Sequence, residues 1–126
     1  MFKWLRKSRD SRAQPRWKID RFLGVYDRDA SIFLGRVQDL SLSGMCVAST
    51  ELPPVGQHVR LMLEILRDSG TPETFMLRCR TLWTRPWDNS GLQLIGFEFS
   101  GPSPAAVSRI QDLLREQAEK DQGRAS

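Results

Sequence analysis

The sequence predicts an all-β core, an antiparallel barrel or sandwich of about six short strands, followed by a single C-terminal α-helix. Three observations carry this. Short apolar runs with period-two alternation succeed one another from residue 17 to residue 99. Breaker-rich segments separate them: Asp27-Arg28-Asp29-Ala30, Glu51-Leu52-Pro53-Pro54-Val55-Gly56, Asp68-Ser69-Gly70-Thr71-Pro72 and Pro86-Trp87-Asp88-Asn89-Ser90-Gly91. Helical spacing appears only once, near the end, in Val107, Ile110, Leu113 and Leu114. At 126 residues the chain fits one domain with one core.

In order, residues 1–15 read as a flexible basic leader ending at Pro15, residues 16–118 as the barrel and its helix, and residues 119–126 as a disordered polar tail. Trp17 and Ile19 alternate with Lys18 and Asp20, and the run continues through Tyr26, so a first strand spans 17–26. The turn at 27–30 leads to a second strand over 31–38, and a third covers 44–49. The double proline at 53–54 excludes a central strand there. Val59, Leu61, Leu63 and Ile65 then line one face of a fourth strand over 59–65. Strands over 75–83 and 92–99 complete the set. Ser103 is a favourable N-cap and Pro104 suits the first helical position, so the helix starts there. Its apolar stripe is expected to pack on the barrel and close one end; the alternative is packing against a second copy, giving a homodimer.

Composition excludes several function classes. The formal charge is +4, but residues 1–21 hold eight Lys or Arg against two Asp, so the remainder carries net −2. A positive segment of this kind attracts phosphates of a nucleotide, nucleic acid or lipid headgroup; the plainer reading is a solvated tail. Cys46 and Cys79 lie in apolar runs without a C-x-x-C, and read as reduced buried thiols suited to a cytoplasmic protein. His58, the one histidine, reads as a surface loop position, so no nucleophile–base pair and no metal constellation is visible and the chain is expected not to be an enzyme. No cofactor is implied. The first residues lack a signal-peptide core, and no run is long enough for a transmembrane segment.

Two motifs stand out. Asp39-Leu40-Ser41-Leu42-Ser43-Gly44 reads D-x-S-x-x-G between two apolar runs, which is a hairpin turn whose polar groups can bond backbone or a ligand, with Gly44 free to take a positive φ. Arg12-Ala13-Gln14-Pro15-Arg16 reads R-x-x-x-R just before the first strand, with Arg9 further back. In this chain order, inside an all-β domain with a C-terminal helix, the pair of motifs resembles the PilZ domain family of bacterial receptors for cyclic di-GMP. The approach Gly35-Arg36-Val37-Gln38 and the late Gly96-Phe97-Glu98-Phe99 strand are similar to the family too. The resemblance covers residues 9–117 and implies a six-stranded barrel with a terminal helix.

It also implies roles. Arg12 and Arg16 would hold the guanine faces and phosphates of the ligand, and Asp39, Ser41 and Gly44 the barrel side of the same site. The chemistry agrees, because an arginine fork matches the guanine O6 and N7 acceptors and the ligand carries two phosphodiester charges. Arg9, Ser43, Trp17, Lys18 and Arg36 are further candidates, Trp17 for stacking on a base against the plainer reading of a core tryptophan. Ser11 stands before Arg12, neither bulky nor basic, which leaves open how many ligand molecules bind. The function so implied is a cyclic di-GMP adaptor controlling an effector protein in motility, pilus or exopolysaccharide output. The alternatives are a ligand-independent protein-interaction module of the same fold and a barrel binding single-stranded nucleic acid. The latter would need several exposed aromatics in a groove, and here they are dispersed.

Overall fold

A computed structural model describes residues 16–67 and 69–125. The leader motif residues Arg9 and Arg12 therefore lie outside the described residues. The strands are β1 (Trp17–Lys18), β2 (Leu23–Asp27), β3 (Ile32–Leu40), β4 (Gly44–Ser49), β5 (His58–Leu66), β6 (Pro72–Pro86) and β7 (Gln93–Phe99), followed by the helix α1 (Pro104–Ala125). Strands β2 to β7 close into a six-stranded antiparallel barrel in the order β2-β3-β4-β7-β6-β5 and back to β2. Closure leaves no long unpaired edge. The alternating apolar residues fill the interior: Leu61, Leu63 and Ile65 of β5 meet Val25, Val37, Val47, Ile95 and Phe97, all fully buried.

The first strand expected over 17–26 is instead two pieces, β1 and β2, laid along the same edge of β3 with residues 19–22 between them. The reason is tertiary. The Asp20 N–H donates to Gln117 Oε1 at 3.1 Å, Gln117 Nε2 donates to Asp20 Oδ2 at 3.2 Å, and Arg21 pairs with Glu116 at 2.8 Å. These groups turn toward α1 rather than along the ladder. Strand β6 is longer than expected because it pairs with β5 over its first part and β7 over its last, with a bulge between Thr81 and Trp83. Its terminal prolines sit where no interior ladder N–H is lost. His58 opens β5 rather than lying in a loop, and is exposed as expected.

Helix α1 starts where its capping residues predict. Ser103 Oγ accepts from the Ala106 N–H at 3.1 Å, with Pro104 at the first helical position. Ala106, Ile110 and Leu113 join the main core cluster, so the stripe packs on the barrel. The helix runs on to Ala125, past the tail expected to be disordered from residue 119. Glu, Lys, Gln and Arg there are good helix formers, and the Gln117 Nε2 to Asp121 Oδ1 bond at 3.0 Å spans the next turn. A chain of ion pairs, Arg21–Glu116, Arg67–Glu116, Arg67–Glu73 and Arg109–Glu73, ties helix and barrel. Being half-exposed, these pairs contribute modestly.

Gln117 is the buried polar anchor of this interface, 5% exposed. Gln117→Ala removes a buried side chain together with its bonds to the Asp20 N–H, Asp20 Oδ2 and Asp121 Oδ1, and is expected to cost about 1 to 3 kcal/mol. Urea unfolding followed by circular dichroism should show a lower midpoint with an unchanged slope.

Candidate ligand-binding site

The site is built where the leader enters the barrel. Arg16 precedes β1, and its Nη1 donates to Asp39 Oδ1 at 3.0 Å, with the two side chains 4% and 3% exposed. The last arginine of the first motif thus reaches the first residue of the second across 23 positions of sequence. Asp39 sits in β3 opposite Lys18 of β1 and Cys46 of β4. A bulge between Val37 and Asp39 resets the alternation, so Asp39 faces outward while Val37 and Leu40 both enter the core.

Burial dominates the electrostatics of the pair. Removal from water pushes Asp39 up to about 6, against the opposing pull of Arg16, and pushes the Arg16 guanidinium down to about 10. Both groups are still charged at neutral pH. Asp39 Oδ2 is buried and accepts no hydrogen bond among the described residues. Nearby Cys46 and distant Cys79 are buried free thiols, each raised by burial and so protonated.

The pH dependence follows. A carboxylate raised on folding binds its proton more tightly in the native state, so its favourable contribution is complete below pH about 4 and is lost as pH rises through about 6. Unfolding free energies measured at pH 4, 5, 6 and 7 should therefore carry a falling component in the parent protein. Asp39→Asn should lack it.

The other motif residues separate into distinct roles. Ser41 is fully buried and is used up by the turn: its Oγ accepts from the N–H groups of Ser43 at 3.1 Å and Gly44 at 3.2 Å, and lies 3.3 Å from the Gly44 carbonyl. The Ser43 hydroxyl lies 3.2 Å from it. The hairpin-turn reading of this segment is what the geometry displays, with Ser41 as its internal brace. Gly44 opens β4, opposite Glu98, and is not among the glycines with positive φ. Trp17 pairs with Leu40, on the face opposite to Asp39, and is half-buried. Arg36 lies on the outer face but is engaged: its Nη2 donates to the Asp20 carbonyl at 2.9 Å and its guanidinium stands 5.7 Å from the Phe22 ring.

The register brings beside Asp39 residues that the sequence did not offer as part of the site. From Asp39 the outward row continues through Cys46 of β4 and Gly96 of β7 to Trp83 of β6. Gly96 is required because an added Cβ would stand 2.3 Å from the Trp83 ring, which lies against the Gly96 backbone. Arg85 covers the ring from outside, its guanidinium 4.4 Å from the centroid. The row thus joins a buried ion pair to a cation–aromatic stack. No local sequence signal announces this, since it depends on a bulge that shifts β6 against β7.

Among the described residues, no group of His, Cys, Asp and Glu could hold a metal ion, and no helix is long and apolar enough to cross a membrane.

A family model described as the PilZ domain matches residues 10–116. No curated protein matches. Among solved structures, the chain is similar to the PilZ domain with c-di-GMP of YcgR from Escherichia coli, with a TM-score of 0.65 and 16% identity over 89% of this chain and 95% of that one. It is similar also to the Bacillus subtilis inhibitor of motility MotI/DgrA, with a TM-score of 0.67 and 17% identity over 84% of this chain and 51% of that one. Escherichia coli YcgR in complex with c-di-GMP gives a TM-score of 0.68 and 17% identity over 89% of this chain and 48% of that one. The chain therefore spans about half the length of the latter two proteins.

Proposed function

The chain belongs to the PilZ domain family, and from that premise we propose that it is a receptor for cyclic di-GMP that acts as an adaptor, passing ligand occupancy to an effector protein. One observation carries the reading: Arg16, the end of the R-x-x-x-R motif, pairs with Asp39, the start of D-x-S-x-x-G, which supports a single site shared by the two motifs. Arg12 and Arg16 supply guanidinium groups to guanine acceptors and phosphates. Asp39 Oδ2, which accepts no hydrogen bond among the described residues, is an acceptor for guanine ring N–H groups, whose donation would offset the cost of its burial.

Ser41 and Gly44 serve by holding the turn that presents Asp39, rather than by touching ligand. Arg85, stacked on Trp83 at the far end of the row, offers a planar guanidinium surface to a base. Arg9 and Lys18 add positive charge toward the phosphates. Ligand occupancy reaches the effector through the surface that the bound ligand and the arginine motif form together on the barrel. The output is control of motility, pili or exopolysaccharide, carried out in the cytoplasm without catalysis.

Isothermal calorimetry on the intact chain with cyclic di-GMP, GMP and a single-stranded oligonucleotide tests the ligand class. Micromolar or tighter binding of the cyclic dinucleotide, with much weaker GMP, is expected. Absence of cyclic dinucleotide binding overturns the reading. So does an oligonucleotide affinity that dominates and falls steeply with salt.

A further inference from the structure

Another part of the outer surface is marked by charge. Across β5 and β6, Arg60 stands directly opposite Arg78, and His58 opposite Arg80. Arg28, just past β2, is tied to them by its backbone N–H donating to the Arg60 carbonyl at 2.9 Å. All five side chains are exposed. Like charges directly opposite in an antiparallel pair are destabilising, and Arg60 and Arg78 both face solvent, so folding supplies no reason for their pairing.

Two of the cations are compensated. Arg60 holds Asp29 with Nη2 to Oδ1 at 2.6 Å and Nε to Oδ2 at 3.4 Å, and Arg80 lies 4.0 Å from Glu98. Arg28 and Arg78 have neither an ion pair nor a side-chain hydrogen bond among the described residues. They line, with Arg60, Met76 and Leu77, a concavity of about 210 Å³. One row further along, Met62 stands opposite Met76, which is 39% exposed.

We propose that this face is a docking surface for an acidic segment of a partner protein, with a carboxylate seated between Arg28 and Arg78 and a neighbouring apolar side chain on Met76. Guanidinium forks match carboxylate geometry, and methionine adapts to varied apolar partners. A nucleic acid fits less well. No aromatic lines the concavity to stack a base, and residues 22–126 carry net −2, so the barrel offers no broad positive field to a polyanion. The surface lies on β5 and β6, away from Arg16 and Asp39, and the proposal does not rest on the cyclic di-GMP reading.

The test is fluorescence anisotropy with a labelled twelve-residue peptide of glutamate and leucine, a control with glutamine for glutamate, a single-stranded oligonucleotide, and phosphatidylglycerol vesicles. Saturable binding of the acidic peptide is expected, weakened roughly tenfold or more in Arg28→Glu/Arg78→Glu and less in Arg28→Gln/Arg78→Gln, while the glutamine peptide binds poorly. Circular dichroism and the cyclic di-GMP titration of both variants should match the parent, which separates loss of docking from loss of fold and from any failure at Asp39. The proposal is overturned if the parent shows no saturable peptide binding or if charge reversal leaves it unchanged. Oligonucleotide or vesicles bound more tightly than the peptide with the same sensitivity would also overturn it.

Discussion

Arg16→Ala is expected to lower the unfolding free energy by about 3 to 5 kcal/mol and to abolish cyclic di-GMP binding with it. The substitution strands the Asp39 carboxylate at 2% exposure with neither oxygen bonded among the described residues. A buried carboxylate in that state takes up a proton, so the loss of stability should shrink at acidic pH. The two effects can be separated. Arg16→Met/Asp39→Leu removes both charges and fills the space with apolar groups, a change that is often neutral or stabilising for a buried ion pair. Urea unfolding of this double variant should recover most of the stability, whereas calorimetry should still detect no ligand. Recovery of binding together with stability would mean that the pair serves the fold alone.

Gly35→Ala is expected to cost about 3 kcal/mol or more, and to leave little folded protein at ambient temperature. Gly35 pairs with Val25 of β2 on one side and Ser49 of β4 on the other, where β3 crosses between the two. A Cβ there would stand 1.9 Å from the Ala48 carbonyl oxygen, which is backbone and cannot rotate away. One of the two ladders must open, and both belong to the closed barrel. Circular dichroism and size-exclusion chromatography report the outcome directly. A folded, monodisperse Gly35→Ala protein would show that β3 and β4 can separate without loss of the core.

How much of this was legible in the sequence depends on the range of the interactions involved. Alternation in β5 and the proline-rich breakers are local, and they marked most strands to within a few residues. The N-cap at Ser103 is local too, and it placed the start of α1. The split of the first strand was not legible, because Asp20 and Arg21 leave the ladder for Gln117 and Glu116, nearly a hundred positions away. The continuation of α1 beyond Glu119 was masked by polar composition, since a helix of good formers and a disordered tail look alike without their contacts.

At the candidate site the motif spacing brought Arg16 and Asp39 forward, and the structure unites them. It could not tell that Ser41 is consumed inside its own turn. Nor could it find Trp83 and Arg85, whose place in the row from Asp39 is set by register across four strands. The arginines of β5 and β6 escaped notice for the same reason. Arg28, Arg60 and Arg78 are scattered in sequence and become neighbours only when β2, β5 and β6 pair.

The central claim is that the ligand is held between a fixed barrel edge, Asp39 with Arg16, and the arginine leader before it. Calorimetric titration of the intact chain and of Arg12→Ala with cyclic di-GMP, alongside their melting temperatures, tests it most directly. The expected result is micromolar or tighter binding by the parent and a loss of about one to two decades in Arg12→Ala, with no change in melting temperature without ligand. No binding by the parent, or equal affinity in Arg12→Ala, would contradict the account.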